Sequence, residues 1–139
     1  MMTNLNIDAC SPLKALLETS ASVPIYVNGN QPTSSLPVAF IAIDLNGGIR
    51  TVSGKFENAV CTVSVSVYVR LLSTGASNVV KENLILSSFS SLLSDAVNTS
   101  VGGNKFTYEL SKNPVVYSGK SIVSDYSTRV INVNCFINY

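Results

Sequence analysis

The sequence contains no histidine and no tryptophan, and only 12% of its 139 residues are charged. Histidine is the commonest general base and the commonest metal ligand in proteins. Its absence excludes a Ser–His–acid or Cys–His catalytic arrangement within one chain. The 8 acidic residues are scattered singly, without the close carboxylate pair that glycosidases and two-metal enzymes need. We therefore expect no enzymatic activity, no metal and no cofactor.

Charge of either sign is also scarce, because 9 Lys and Arg balance 8 Asp and Glu to leave a net charge of +1. Such a balance gives no electrostatic footprint for duplex nucleic acid. No run of about twenty apolar residues is present, so we expect no transmembrane helix, and the N-terminus lacks the pattern of a signal peptide. A content of 46% hydrophobic residues excludes intrinsic disorder. The length predicts one domain over residues 1–139.

Three cysteines are present, Cys10, Cys61 and Cys135, an odd number with no CxxC spacing. Two of them lie in Val/Ile-rich alternating segments. We interpret all three as small, reduced core residues of a protein made in the cytoplasm, with a disulfide or a metal site as the alternative.

The clearest pattern is strict alternation between apolar and polar residues over residues 61–71. Alternation with a period of two predicts a long strand with one buried face and one polar face. The polar positions could also bind a ligand, although a solvated or partner-covered face explains them more simply. The apolar positions are Cys61, Val63, Val65, Val67, Val69 and Leu71.

Two segments carry helical patterns. The first is Ser11–Thr19, where we expect Ser11 as the N-cap and Pro12 at the first helical position. The second is Asn78–Val97, capped by Ser77 or Asn78, with a broad apolar stripe at helical spacing. We expect this segment to end at residues 101–104, which contain Gly102 and Gly103.

The remaining segments indicate strands. Brief strands are expected at residues 24–27 and 115–117, and longer ones at residues 36–45, 105–110 and 129–139, with Phe136 on the polar side of the last. Asn46-Gly47-Gly48 is the strongest turn signal, and it predicts a hairpin whose outgoing arm is residues 49–56. The fold class is therefore α+β: a mostly antiparallel sheet with two helices packed on one face and a projecting β-hairpin.

Cations and tyrosines each allow two interpretations. Five cations lie in or beside predicted loops: they are either solvated or line a channel crossed by nucleic acid. The six tyrosines are either ordinary half-buried sheet residues or interface residues. The cations are Arg50, Lys55, Lys105, Lys112 and Lys120, and the tyrosines are Tyr26, Tyr68, Tyr108, Tyr117, Tyr126 and Tyr139.

The order of elements resembles a known family. A short helix (residues 11–19) leads into Val23-Pro24-Ile25-Tyr26 and then into the proline-opened strand Leu36-Pro37-Val38-Ala39-Phe40-Ile41. A long alternating strand, a second helix and closing β-hairpins follow. This layout is similar to that of the tail-completion or tail-terminator proteins of tailed bacteriophages and their small neck proteins. The resemblance covers nearly the whole chain, but it is one of length and layout, and no invariant motif supports it.

The resemblance implies a structural protein of the virion tail or neck, assembled in the host cytoplasm. Its subunits would form a homo-oligomeric ring, a hexamer or dodecamer, that contacts other neck and tail proteins. DNA would pass through the channel without sequence-specific binding, and no membrane would be involved. The projecting hairpin would contact neighbouring subunits or line the channel through Asn46, Gly47, Gly48, Ile49, Arg50, Lys55 and Phe56.

Sheet edges are the second candidate for contacts between subunits. We expect residues 105–110 or the arm at residues 49–56 to pair across subunits. Two other classes of function remain open. One is another structural virion subunit, of the tail tube or the head decoration, and the other is a monomeric β-rich binding module. An enzyme, which would need a hidden carboxylate pair, is a distant third.

Overall fold

The computed structural model describes residues 8–20, 22–30, 37–53, 58–111, 117–120 and 126–138. Over these residues the chain is α+β with a mostly antiparallel sheet, which confirms the predicted class. The elements in chain order are α1 (Cys10–Leu17), β1 (Ile25–Val27), β2 (Ala39–Ser53), β3 (Asn58–Arg70), α2 (Val79–Ser94), β4 (Val97–Val101), β5 (Asn104–Leu110), β6 (Tyr117–Lys120) and β7 (Tyr126–Asn138).

These strands form one sheet in the order β1-β2-β3-β7-β5-β4, and β6 also pairs with β7. Strands β5 and β6 share one side of β7: β5 pairs with residues 133–138, and β6 pairs with residues 127–130. Among the pairings described, β1 with β2 is parallel and the others are antiparallel. The long strands β3 and β7 are therefore the centre of the sheet.

One face of the sheet, which we call the core face, is apolar. The predicted alternation of β3 is confirmed, since its odd-numbered residues from Ala59 to Val69 are buried. The strand register places them opposite core-face residues of β2 and β7. Buried residues of both helices, Leu13 and Leu17 of α1 with Ile85 and Leu93 of α2, belong to the same hydrophobic cluster. We call the opposite face the polar face.

The sheet curls around α1. This helix contacts β1 and β2 near one edge of the sheet and also β4 at the other edge. The hydroxyl of Tyr108 in β5 donates a buried hydrogen bond of 2.6 Å to the carbonyl of Ala9, immediately before α1. Because both edges meet one short helix, α1 lies within the curve of the sheet.

The start of α1 differs from the prediction. The helix begins at Cys10, and the carboxylate of Asp8 accepts hydrogen bonds from the backbone N–H of Cys10 at 2.9 Å and of Ser11 at 3.1 Å. The predicted N-cap, Ser11, is inside the first turn, and its hydroxyl also donates to Asp8. A carboxylate satisfies two unpaired N–H groups at once, which explains why Asp8 takes the capping role.

The second helix follows the prediction at its start and departs from it at its end. The Asn78 side chain accepts from the Lys81 N–H at 3.2 Å, which confirms Asn78 as the cap. Helix α2 ends at Ser94 and not at the predicted Val97, and residues 97–101, for which no strand was predicted, form β4. Gly102 and Gly103, with φ of 58° and 85°, make the turn into β5. Left-handed φ at both turn residues is the geometry of the favoured two-residue hairpin turn.

Because β4 pairs with β5, β5 lies inside the sheet. The strand predicted at residues 105–110 is confirmed, but it lies between β4 and β7 and is not an edge. Of the short strand predicted at residues 115–117, Val115 and Val116 lie outside the described residues. Tyr117 begins β6, which continues through Gly119, where the prediction had the strand already ended. The strand predicted at residues 36–45 is confirmed from Ala39, and it continues to Ser53.

Candidate subunit interface

The predicted tight turn at Asn46-Gly47-Gly48 is wrong, because these residues lie inside β2. Asn46 is opposite Thr62 of β3 and Arg50 is opposite Val60, with a register shift between the two pairs. Gly47 has a φ of 87°, in the left-handed region that favours glycine. The two glycines therefore introduce a bulge into a continuing strand, and the chain reverses after Ser53.

Other residues of the predicted site lie near this bulge or beyond it. Asn46, Gly47 and Gly48 are exposed, and Ile49 is half-buried against the core. The backbone of Arg50 pairs within β2 and β3. Lys55 and Phe56 lie outside the described residues, as do Lys112 and Tyr139. Residues 46–50 therefore lie along one strand, and the tip of the hairpin lies outside the described residues.

The polar face carries aligned rows of amides, hydroxyls and carboxylates. Asn46, Thr62 and Asn134 are directly opposite one another across β2, β3 and β7, and Glu109 of β5 continues the row. In the next row, the Ser64 hydroxyl donates to the Asn132 side chain at 3.3 Å. Apart from the exposed Asn46, these side chains are half-buried, and among them only Glu109 carries a formal charge.

Phe136 interrupts the polar face, as its position in the alternation predicts, and 44% of its surface is exposed. A groove of about 440 Å³ lies on one side of it, between the β2 bulge and Asn134. A second groove of about 350 Å³ lies on the other side, towards Lys105. An exposed aromatic ring between two grooves is a surface suited to contact with another molecule.

A cluster of aromatic rings closes the other end of the polar face. Phe40 is fully buried and stacks on Tyr68 with ring centroids 4.7 Å apart. Tyr26 and Tyr126 meet Phe40 edge-on. The guanidinium of Arg70 lies 5.4 Å from the centre of the Tyr126 ring and donates to its hydroxyl at 3.2 Å. These tyrosines therefore stabilise the fold, whatever further contacts they make.

Among the described residues, both lateral edges of the sheet have strand backbone without a further strand partner. At one edge, β4 pairs with β5 on one side, and its five residues, VNTSV, contain no charge and no proline. At the other edge, β1 covers only Ile41, Ala42 and Ile43 of the much longer β2. Natural sheets protect such edges with charges, prolines or bulges. The bulge in β2 is one such device, whereas the described part of β4 has none.

An apolar patch lies where the loop after β3 enters α2. It consists of Leu72, Val79, Val80 and Leu84, and Val80 and Leu84 are 73% and 65% exposed. Helix α2 has serines where a solvent-facing helix usually has charges. With its exposed valine and leucine side chains and little charge, this end of α2 is suited to contact with a neighbour.

Helix α2 is joined to β7 by a buried charged group that sequence analysis missed. Glu82 has no exposed surface, and its Oε1 lies 3.6 Å from Nε of Arg129. The Ser127 hydroxyl donates to the other carboxylate oxygen, and the Arg129 guanidinium donates to the Asn83 side chain. The residues are 45 or more positions apart in sequence, so no local pattern could have paired them.

The part of the chain that the structure describes holds no group of three or more His, Cys, Asp or Glu side chains able to hold a metal ion. Within the same residues, no helix has both the length and the apolar character needed to cross a membrane.

No protein-family model matches this chain, and no curated protein matches it. The resemblance to phage tail-completion proteins therefore remains a prediction.

Proposed function

We propose that this chain is a structural subunit of a tailed-bacteriophage virion, which assembles into a ring at the head–tail junction and completes or terminates the tail. The ring would join the tail to the neck and leave an axial channel that DNA crosses without sequence-specific binding. The observation that carries this proposal is the pair of open strand edges, β4 and the outer part of β2, on opposite sides of one sheet.

Open edges at opposite sides of a sheet suit a ring. A contact between two different surfaces of identical subunits propagates from copy to copy, and it closes when the rotation per subunit fits. Pairing of β4 with the outer edge of β2 of the next copy would cover both edges. The apolar patch around Val80 would add buried area to the same assembly.

The finer architecture belongs to this proposal. Both helices would cover the core face, which would leave the polar face and the end of the β2–β3 hairpin free for contacts. The hairpin would project from the subunit, with Arg50 and Lys55 facing a neighbour or the channel. The ring would have no enzymatic role, in keeping with its lack of histidine.

Native mass spectrometry over a range of concentrations, together with negative-stain images, tests the proposal. Closed hexameric or dodecameric rings are expected. Reversal of both hairpin charges, Arg50→Glu with Lys55→Glu, should leave the circular-dichroism spectrum and melting temperature unchanged and reduce the ring population. Lys14→Glu is the control, because Lys14 lies on α1 and forms an exposed ion pair with Glu18.

Three results would count against parts of the proposal. Unchanged rings in the double variant would remove the hairpin from the interface. Open tubes of indefinite length would favour a tail-tube subunit. A monomer at every concentration, also in the presence of isolated phage tails, would contradict the ring.

A monomeric binding module is the second candidate function, and the two grooves beside Phe136 favour it. Its ligand would be held by Asn46, Thr62 and Asn134 beside the exposed ring. Phe136→Ser separates the two candidates: in a binding module it abolishes ligand binding by a monomer, whereas in a ring subunit it changes assembly or nothing.

A further inference from the structure

Two of the three cysteines face each other at the centre of the sheet. The register of β3 and β7 places Cys61 directly opposite Cys135, in a ladder that is continuous from Asn58 to Arg70. Directly opposed residues of antiparallel strands have Cα atoms about 4.5–5.5 Å apart, within the range that a disulfide spans. Both residues also belong to the same buried hydrophobic cluster. The backbone therefore already holds the pair at bonding range.

The two residues differ in exposure. Both lie on the core face and belong to its buried cluster. Cys61 is 8% exposed, whereas Cys135 has no exposed surface. A molecule the size of hydrogen peroxide therefore reaches Cys61 before Cys135.

The pKa values of the two thiols also differ, and the difference again favours Cys61 as the more reactive sulfur. The hydrogen bond from Cys135 lowers the pKa of the Cys61 thiol, and the same bond with burial raises the pKa of Cys135. Cys10 differs from both, because burial raises its pKa to about 12. Since the thiolate is the reactive form, the attacking sulfur is that of Cys61.

We propose that Cys61 and Cys135 are a redox site that forms an intramolecular cross-strand disulfide when the protein meets a peroxide. The inference is independent of the proposed function, since it depends only on the register of β3 and β7 and on the partial exposure of Cys61.

The reaction has two balanced steps. The Cys61 thiolate attacks one oxygen of hydrogen peroxide, the O–O bond breaks, and hydroxide leaves and takes up a proton, which gives a sulfenic acid and one water. The Cys135 sulfur then attacks the Cys61 sulfur, the S–O bond breaks, and the departing hydroxide accepts the Cys135 proton to give a second water. Two thiols are oxidised to one disulfide, and one peroxide is reduced to two waters.

Trypsin separates the three cysteines, which makes the site testable in the wild-type protein. Cleavage after Lys and Arg places Cys10 in residues 1–14, Cys61 in residues 56–70 and Cys135 in residues 130–139. After treatment of the folded protein with hydrogen peroxide, we expect an intact mass lower by about 2 Da, through loss of two hydrogens. The thiols titrated after denaturation should fall from three to one, and residues 56–70 should be linked to residues 130–139.

Variants assign the order of the two steps. Cys10→Ser should form the same bond, because Cys10 takes no part. Cys135→Ser should stop at the sulfenic acid of Cys61, which a cyclic diketone captures as a covalent adduct. Cys61→Ser should show neither the mass change nor the adduct.

The proposal is overturned if the wild-type protein keeps three titratable thiols after peroxide treatment. It is also overturned if the linked peptides include residues 1–14, or if the linkage forms only after denaturation. These outcomes are read on the wild-type chain, so a variant that fails to fold does not affect them. Ring assembly is measured separately and can fail or succeed without changing them.

Discussion

The two faces of the central strands share one backbone and differ in almost everything else. On the core face of β3, Val63, Val65, Val67 and Val69 have no exposed surface. On the polar face, their neighbours Thr62, Ser64 and Ser66 are half-buried and make few hydrogen bonds that hold the fold. Over residues 62–66 the hydrophobic stability of the strand therefore comes from the core face. Further along, the stack of Tyr68 on the buried Phe40 adds to it from the polar face.

The largest expected effect is the difference in stability between a variant with a charge on the core face and a variant with a charge on the polar face. Val65→Asp buries a carboxylate without a partner, which we expect to cost more than about 4 kcal/mol and to unfold the domain. Ser66→Asp, one position along the same strand, is the matched control and should cost within about 0.5 kcal/mol. Urea unfolding followed by circular dichroism measures both. Equal losses in the two variants would refute the division into faces.

The buried ion pair of Glu82 and Arg129 is an exception, because it places charges on the otherwise apolar core face. Arg129→Met leaves the Glu82 carboxylate buried without its cation, which should destabilise the protein by about 3–5 kcal/mol. The double variant Glu82→Leu with Arg129→Met should recover most of that loss, because both charges are removed together. Chemical denaturation of the single and double variants forms the cycle. A double variant as unstable as Arg129→Met would mean that the site cannot accommodate apolar side chains.

A smaller effect is expected at the edge of the core face, where Asp8 caps α1. Partial burial raises the pKa of the Asp8 carboxyl, but hydrogen bonds from Ser11, Cys10 and Asn28 outweigh it and lower the pKa below the ordinary value. The carboxylate therefore stabilises the fold above its unfolded pKa, and this contribution is lost as the pH falls through the lower folded pKa.

Asp8→Ala should cost about 1 kcal/mol near neutral pH and progressively less in acid. Thermal melts at pH 7 and at pH 3 measure the difference. Glu18→Ala, an exposed acidic residue just after the same helix, is the control. If Asp8→Ala destabilised the protein equally at both pH values, the charge of the Asp8 carboxylate would not be the source of its stabilising effect.

The prediction from sequence succeeded where the signal was local and repeated. The period-two alternation of β3 and β7 depends on side-chain geometry within each strand, so it survives in any tertiary context. The Asn78 cap likewise needs only the three residues that follow it. At Asn46-Gly47-Gly48 and at residues 97–101, by contrast, local preference was overridden, because pairing with β3 and with β5 decided the conformation.

The sequence by itself determined the α+β class, the two faces of the long strands and the absence of histidine chemistry, because each follows from residue identity or spacing along the chain. Which strand is an edge, that Glu82 meets Arg129, and that Cys61 faces Cys135 were decided only by the tertiary structure. These are contacts between residues far apart in the chain. Their partners are selected by strand register and by the curl of the sheet around α1, which no local pattern encodes.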